Sequence, residues 1–328
     1  MKMKNNFGAV NAVNITILVN NNADLIVKST ESIKYFREKA LLAEHGFSAL
    51  IHFPETDMKI LWDAGVSNIT LMENIRRMEI DPKSISKIAL SHGHSDHYAA
   101  MTDFIKAMAL EIESKEWDEP ITESIVDEWK TANQVTITAH PAGFRERWWV
   151  KDDGTRVGPL PPPPKLEWEA AGGCLELSSD PFRLTSGCWT TGYVPRESFE
   201  KSGRPTQLLY REGDEFYPDD LEEDQAIIIN IERKGLVVLS GCAHAGIINT
   251  TNLARKISGV DKVYAIIGGF HLARSSDEEI EKTIDALQVF NPEILVPCHC
   301  TGFPAMCAIA KQFPESFHHG IVGATYII

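Results

Sequence analysis

Three imidazoles and a carboxylate lie in one seven-residue stretch of the sequence, Ser91-His92-Gly93-His94-Ser95-Asp96-His97. The residues 85–90 before it form a short, β-branched, half-apolar run that predicts a strand, so the histidines would lie on the loop where that strand ends. On such a loop His92 and His94 can share one metal ion, while Asp96 and His97 turn toward a second. Imidazole and carboxylate together suit zinc, iron or manganese better than calcium or magnesium. The stretch predicts a metal site, and the alternative is a histidine-rich surface loop.

The length and composition indicate one large globular unit. The chain has 328 residues, of which 43% are hydrophobic and 24% charged, which is ordinary for a globular protein with a sizeable core. Because α/β folds of roughly 200–250 residues often form single domains, we expect one domain over residues 1–328, with an irregular inserted lid around 144–225.

The net charge of −14 disfavours non-specific binding to nucleic acid or to an anionic membrane. An anionic substrate would need local cations or metals. The basic N-terminus precedes an apolar run that is broken by Asn11 and Asn14, so no signal peptide is expected, and no membrane span is evident. Six cysteines without an export signal indicate reduced thiols. We therefore expect a cytoplasmic protein without nucleic-acid or membrane partners, and the oligomeric state stays open.

Two series of strands and helices flank a less regular middle region. The first series comprises strands at 13–19, 48–53, 59–62, 85–90 and 135–139 and helices at 68–79 and 101–130. The second comprises strands at 226–232, 236–239, 262–267, 293–297 and 320–328 and helices at 246–257, 277–290 and 303–313. Between them we expect short antiparallel strands, an irregular lid and a stiff proline spacer at 158–164. This pattern predicts an α/β sandwich of sheets covered by helices.

Further metal ligands should follow other strand ends, because one loop cannot complete a two-metal centre. The segment 240–246 (Ser-Gly-Cys-Ala-His-Ala-Gly) and the segment 298–302 (Cys-His-Cys-Thr-Gly) both stand between a strand and a helix. His271 also follows a strand, and it is a candidate general acid, substrate contact or ligand, or else a structural residue. His45 could line the same pocket, whereas His52, His318 and His319 are not expected to be ligands.

Six segments together resemble the metallo-β-lactamase superfamily, and within it the family of metal-dependent hydrolases that includes the archaeal dihydropterin-ribofuranosylaminobenzene 5′-phosphate synthase. The resemblance implies an αββα sandwich of two mixed β-sheets with helices on the outer faces, and two divalent ions, zinc first and iron or manganese as alternatives. The segments are 44–48, 61–65, 91–97, 240–247, 268–272 and 298–302.

The resemblance also implies roles for individual residues. Asp96 and His97 would bind the second ion together with His299. The first ion would be bound by His92 and His94, and His244 is the best third ligand because the glycine-rich segment 186–192 contains no histidine.

Two further residues each have two alternative roles. Cys242 stands where the superfamily usually has a bridging aspartate, so it is either a bridging or neighbouring group or a buried thiol that packs as a small apolar residue. Asp63 would support a ligand through a hydrogen bond, the alternative being a turn-forming acid before Gly65. A separate structural zinc on Cys298, Cys300 and Cys307 is disfavoured, because their spacing does not form paired Cys-x-x-Cys motifs.

These residues predict a dinuclear metal-dependent hydrolase that attacks a phosphorylated or other anionic ester with a metal-activated water. Asp96 would orient the nucleophile, and His271 is the second catalytic candidate. Thr301 and Gly302 could receive a phosphate at a helix start, and Arg196 is either an anion clamp or a surface arginine.

Three different functions compete with the hydrolase. The first is a transferase that condenses a dihydropterin diphosphate with a ribofuranosylaminobenzene phosphate. The second is an iron-dependent oxidoreductase, and the third is a non-catalytic binding protein that shares the fold.

Overall fold

The computed structural model describes residues 7–108, 122, 124–125, 134–201, 205 and 207–328. The strands within these ranges are β1 (Asn14–Val19), β2 (Ile33–Tyr35), β3 (Ser48–Phe53), β4 (Met58–Trp62), β5 (Lys87–Ala89), β6 (Val135–Ala139), β7 (Arg147–Val150), β8 (Arg156–Leu160), β9 (Gly173–Leu177), β10 (Phe182–Thr185), β11 (Cys188–Thr190), β12 (Leu208–Glu212), β13 (Glu215–Pro218), β14 (Ala226–Ile231), β15 (Gly235–Ser240), β16 (Val263–Gly269), β17 (Ile294–Cys298) and β18 (Ala324–Ile327).

The α-helices of the described residues are α1 (Asn68–Arg77), α2 (Ser95–Tyr98), α3 (Met101–Met108), α4 (Lys165–Ala170), α5 (Ile247–Ser258), α6 (Asp277–Phe290) and α7 (Phe303–Gln312). Short 3₁₀ turns occupy Pro82–Ser84, Pro141–Phe144 and His299–Thr301. Local sequence explains the starts of two of these helices. Ser67 accepts a hydrogen bond from the backbone N–H of Thr70 at α1, and Ser276 caps α6, whose first turn is acidic.

The strands form two large mixed sheets and one small one. The first sheet has the order β2-β18-β1-β3-β4-β5-β6-β9, and its pairs from β4 to β9 are parallel. The second has the order β10-β11-β14-β15-β16-β17, and its pairs from β15 to β17 are parallel. The small sheet, β13-β12-β7-β8, is antiparallel throughout.

Alternating side chains pack the two large sheets face to face. Ile15 and Ile17 of β1 and Ile227 and Ile229 of β14 lie in the same fully buried core between the sheets. Each buried side chain of this size contributes about 1.5–3 kcal/mol. The opposite faces carry separate apolar clusters, in which Leu61 packs in the same cluster as α1, α3 and α4, and the second sheet packs against α5, α6 and α7. The arrangement is helix, sheet, sheet, helix, as the sequence predicts.

The middle region is more regular than the sequence predicts. Strands β9, β10 and β11 join the edges of the two large sheets, and only β7, β8, β12 and β13 form the separate small sheet. These strands have three to five residues and many half-exposed positions, so they lack a clear alternation of apolar and polar residues. The predicted strand at 320–328 is shorter in the structure. Most of the helix predicted at 101–130 lies outside the described residues, which include α3 over Met101–Met108.

Within the described ranges, no helix combines the length and apolar composition that crossing a membrane requires.

Candidate metal centre

The carboxyl ends of the long buried strands meet at one edge of the sandwich. Asp63 follows β4, the histidine loop follows β5, Cys242 and His244 follow β15, His271 follows β16, and His299 follows β17. Hydrogen bonds and ring contacts join these loops across 27 to 202 residues of sequence. The fold thus brings together the side chains that the sequence places at separate strand ends.

One group of donor atoms surrounds His92. The Nε2 atoms of His92 and His244 lie 3.2 Å apart. The donor atoms of these two residues and of Cys242 all lie within 4.8 Å of one another, and all three side chains are buried. The His94 ring lies 4.7 Å from the His92 ring and 4.8 Å from the His244 ring, measured between centroids. Burial lowers the pKa of His92 well below its usual range and that of His94 to about 4, so both imidazoles are in the neutral, metal-binding form at neutral pH.

A second group surrounds His97. The His97 Nε2 atom lies 3.2 Å from the Cys242 Sγ atom and 3.2 Å from the His299 Nε2 atom. The Asp96 Oδ2 atom lies 3.4 Å from the His299 Nε2 atom and 3.7 Å from the His97 Nε2 atom. Because Cys242 belongs to both groups, its thiol lies between them.

Asp63 fixes the orientation of His97. Its Oδ2 atom lies 2.7 Å from the His97 Nδ1 atom, and both side chains are fully buried. Its two oxygens also accept hydrogen bonds from the backbone N–H and the hydroxyl of Ser91, each at 2.7 Å. Burial acts to lower the pKa of His97, but the carboxylates of Asp96 and Asp63 outweigh it and raise the pKa to about 9. The contact leaves the Nε2 atom of His97 facing Cys242 and His299.

The loops of the site adopt strained backbone conformations. Among the non-glycine residues with positive φ are Asp63 at 57°, Ala243 at 57°, His271 at 50° and His299 at 48°. Each follows a strand end at the site, and such conformations are rare for non-glycine residues and cluster at functional sites. Gly241 allows the chain to approach the histidine loop closely, because a Cβ atom there would overlap the Ser91 hydroxyl.

Two of the three predicted substrate contacts, Arg196 and Thr301, make hydrogen bonds to the backbone in the structure. The Arg196 guanidinium donates hydrogen bonds to the backbone carbonyls of His244 and Asp220, so it holds the His244 loop. The Thr301 hydroxyl is buried, accepts from the Phe270 N–H at 3.1 Å and donates to the Cys298 carbonyl at 2.7 Å. Gly302 directly precedes α7, as expected of a helix start.

His271, Cys242 and Cys300 form a third group of donor atoms within 4.8 Å of one another. The ring centroids of His271 and His244 are 4.2 Å apart. The Cys300 thiol also donates to the Cys242 carbonyl at 3.4 Å. In the sequence, Cys300 is a candidate only for a structural zinc, and its position directly after His299 is the signal that could have placed it here. Cys298 lies in the core between the sheets and Cys307 is exposed, so these two thiols do not join it.

His45 lies at the rim of the site. Its Nε2 atom is 3.3 Å from the Asp96 Oδ2 atom, its ring lies 5.1 Å from the His299 ring, and its side chain is 68% exposed. His45 is thus the solvent-facing member of the His45, Asp96 and His299 group.

A cavity of about 300 Å³ opens beside the histidine loop and is partly enclosed by the small sheet. A larger cavity of about 670 Å³ beside α1 contains no histidine and lies away from these donor atoms. The smaller cavity is therefore the candidate substrate site. Its lining residues include His94, Asp96, Arg145, Leu160, Pro161 and Leu208.

A buried ion cluster joins the small sheet, which lines this cavity, to the histidine loop. Arg147 donates from Nε to Asp219 and from Nη2 to Glu223, each at 2.7 Å, and all three side chains are nearly or fully buried. Glu223 also accepts from the Gly93 N–H at 3.4 Å. Burial, opposed by Arg147, raises the pKa of Glu223 to about 7. Sequence reasoning missed this cluster, because its members follow no motif.

Comparison with known proteins assigns the class. The family model described as the metallo-beta-lactamase superfamily matches residues 43–299, and the chain belongs to that superfamily. The prediction of an enzyme of hydrolase or related transferase type is confirmed at this level.

The more particular likenesses support the predicted subgroup and the fold. The chain is 34% identical over 281 residues, covering 84% of this chain and 87% of the relative, to the 7,8-dihydropterin-6-methyl-4-(beta-D-ribofuranosyl)-aminobenzene-5′-phosphate synthase of Methanocaldococcus jannaschii. The crystal structure of Tm1679, a metal-dependent hydrolase of the beta-lactamase superfamily, matches with a TM-score of 0.70 and 21% identity over 95% of this chain and 98% of that one. The metallo-beta-lactamase fold protein YhfI of Bacillus subtilis matches with a TM-score of 0.53 and 10% identity over 97% of this chain and 100% of that one. The last two show the fold.

Proposed function

We propose that this chain is a dinuclear metal-dependent hydrolase that acts on a phosphorylated or other anionic ester. The observation that carries the proposal is the position of Cys242, whose thiol belongs to two groups of buried donor atoms. Both groups include a histidine of the loop that lines one cavity through His94 and Asp96. Two adjacent groups that share one ligand are the arrangement expected of a two-metal site.

The donor set fits transition metals. Buried imidazole nitrogens face one another at 3.2 Å in both groups, and a buried thiol faces one of them at the same distance. Nitrogen and sulfur donors of this kind suit zinc or iron, and oxygen donors from Asp96 add manganese. His92, His94 and His244 would hold one ion, Asp96, His97 and His299 the other, and Cys242 both.

Bound ions of this kind lower the pKa of a water molecule and stabilise charge on the scissile group. The chain's own residues supply the remaining functions. Asp63 keeps the Nε2 atom of His97 directed into the site, and Arg196 holds the backbone of the His244 loop. His271, beside His244, is the candidate donor of a proton to the leaving group.

A transferase is the second candidate, because the 34% identical relative is named as a synthase. In such a transferase the same metal ligands would hold the diphosphate of a dihydropterin substrate while a ribofuranosylaminobenzene phosphate attacks and diphosphate leaves. The cavity and the donor groups serve both reactions, so substrate turnover has to separate them.

Assays of the metal-loaded protein test the proposal. We expect turnover of bis(p-nitrophenyl) phosphate that is lost on chelation and restored by zinc, iron or manganese. Turnover of dihydropterin diphosphate with ribofuranosylaminobenzene phosphate, and of no ester, would replace the hydrolase by the transferase. Bound iron with oxygen consumption would favour the oxidoreductase, and protein that takes up no metal would favour a binding protein.

We also propose that the protein acts in the cytoplasm on a small anionic substrate, without nucleic-acid or membrane partners. All six cysteines are free thiols, and the net charge is −14, which supports both parts of this proposal. Fractionation of the source cells and a filter-binding assay with DNA and RNA test it.

A further inference from the structure

The small sheet forms one wall of the cavity next to the metal centre. Arg145 lies just before β7, Leu160 ends β8, and Leu208 begins β12, and all three line the cavity. The loop that carries His94 and Asp96 lines the same cavity. A ligand in this cavity would therefore touch the small sheet and the metal ligands together.

The two arginines of this wall differ in how their donors are used. Arg147 bonds through all three guanidinium nitrogens, to Asp219, Glu223 and the backbone carbonyls of Ala142 and Gly143. The Arg145 side chain, which is 28% exposed, lies over the Tyr210 ring at 4.3 Å and donates from Nη2 to Glu222 at 2.6 Å. Among the described residues, the Arg145 guanidinium makes this one hydrogen bond. Arg145 thus keeps donors for a ligand, held in place by a ring and one carboxylate.

The other side chains of the wall are apolar. Leu160, Pro161 and Leu208 line the cavity beside Arg145. Because the chain carries a net charge of −14, an anionic ligand needs a local cation in addition to the metals. A guanidinium next to apolar side chains suits a ligand with a phosphate at one end and a flat or apolar body.

We propose that Arg145 binds a phosphate group of the substrate while Leu160, Pro161 and Leu208 contact its apolar body. The proposal rests on the proposed function in that it places the ligand beside the metal centre. It adds a specificity residue from a part of the chain where the sequence motifs are weakest.

Arg156 provides a matched control. It lies in β8 of the same sheet, and its guanidinium lies over the Phe216 ring at 4.2 Å, much as that of Arg145 lies over Tyr210. It is exposed and is not among the residues that line the cavity. Both arginines therefore make a cation–π contact in one sheet, and only Arg145 faces the candidate substrate.

Calorimetric titration of the metal-loaded protein with phenyl phosphate tests the proposal without requiring turnover. We expect Arg145→Met to raise the dissociation constant about tenfold, because charge-assisted hydrogen bonds are lost. Arg156→Met should leave the dissociation constant within about twofold of the wild-type value. Arg145→Lys should lie between wild type and Arg145→Met, since lysine keeps the charge but not the planar fork. Should Arg145→Met fail to fold, Arg145→Lys and Arg156→Lys are compared instead, and only Arg145→Lys should weaken binding.

Equal binding by wild type and both Arg145 variants would overturn the proposal, whichever reaction the enzyme catalyses. In turnover of a phosphorylated ester, the Arg145 variants should raise KM with little change in kcat, and a neutral phenyl ester should not respond. If the wild-type protein had no esterase activity, the proposed hydrolase function would be contradicted. The titration with phenyl phosphate would still decide the role of Arg145.

Discussion

The metal centre and the small-sheet wall adjoin the same cavity through the histidine loop and the small sheet, but they are built differently. The centre stands on the ends of long, fully buried strands such as β15, and its loops are held by buried hydrogen bonds such as that from His97 to Asp63. The wall stands on strands with exposed positions, such as β8, and it is joined to the rest by the ions around Arg147. Under the function proposed above, the centre would determine the type of chemistry and the wall would determine which substrate reaches it.

Removing the shared thiol should have the largest effect. We expect Cys242→Ala to lower kcat/KM by more than the roughly 10–100-fold typical of changes outside the ligand set, and to reduce the metal content measured by plasma mass spectrometry. Cys188→Ala is the control, because it removes an equally buried thiol from the core between the sheets. If both variants retained metal and activity alike, Cys242 would be only a packing residue.

Breaking the buried ion cluster should destabilise the protein, because the cluster joins the small sheet to the histidine loop. Arg147→Met leaves Asp219 and Glu223 buried without their cation, which costs about 3–5 kcal/mol in the free energy of unfolding. Denaturant titration measures this loss. Arg211→Met in the same sheet breaks an exposed pair with Glu146 and should cost about 1 kcal/mol or less. Similar losses for the two variants would mean that the cluster does not anchor the wall.

Weakening the support of His97 should have a moderate effect that is confined to the centre. Asp63→Asn keeps the shape of the side chain but removes its charge, and we expect metal affinity to fall about 10–100-fold. Competition with a chromogenic chelator measures the affinity. Asp57→Asn is the control, because it changes a similar pair at the surface, where the Asp57 Oδ1 atom lies 2.8 Å from the His52 Nε2 atom. An equal response to both changes would show that the Asp63 contact does not act through the metal.

The smallest effect concerns how stability depends on pH through His140, which lies between β6 and β7. Burial lowers the pKa of His140 from 6.5 to about 4, so between these two pH values the unfolded chain binds more protons than the folded one. Stability should therefore fall as the pH drops through this window, and His140 should contribute about 1–2 kcal/mol to that fall. His140→Asn should flatten the dependence in urea titrations at about pH 7 and pH 5. Parallel curves for the two proteins would show that His140 does not cause the pH dependence.

The sequence predicts the framework better than the wall. The nearly continuous apolar run of β14 reflects burial on both faces, and the histidine loop follows β5 as expected. The same logic places His244 and His299 beside His92 and His97, because the ends of neighbouring strands meet in space. The fold class and these contacts were therefore open to prediction.

The remaining contacts depend on tertiary packing that no local pattern encodes. The cluster of Arg147, Asp219 and Glu223 joins residues more than 70 positions apart without a motif. The sequence offers Arg196 as an anion clamp or a surface arginine, and only the fold shows that it holds the His244 carbonyl. Cys300 likewise reaches Cys242 only because two strands end side by side.

Anomalous diffraction at the metal absorption edge, from crystals of the metal-loaded protein, tests the two-metal centre most directly. We expect two peaks, one beside His92 and His244 and one beside His97 and His299, with the Cys242 sulfur next to both. A protein that holds no metal there after reconstitution, or that holds metal solely at His271 and Cys300, would contradict the two-metal centre.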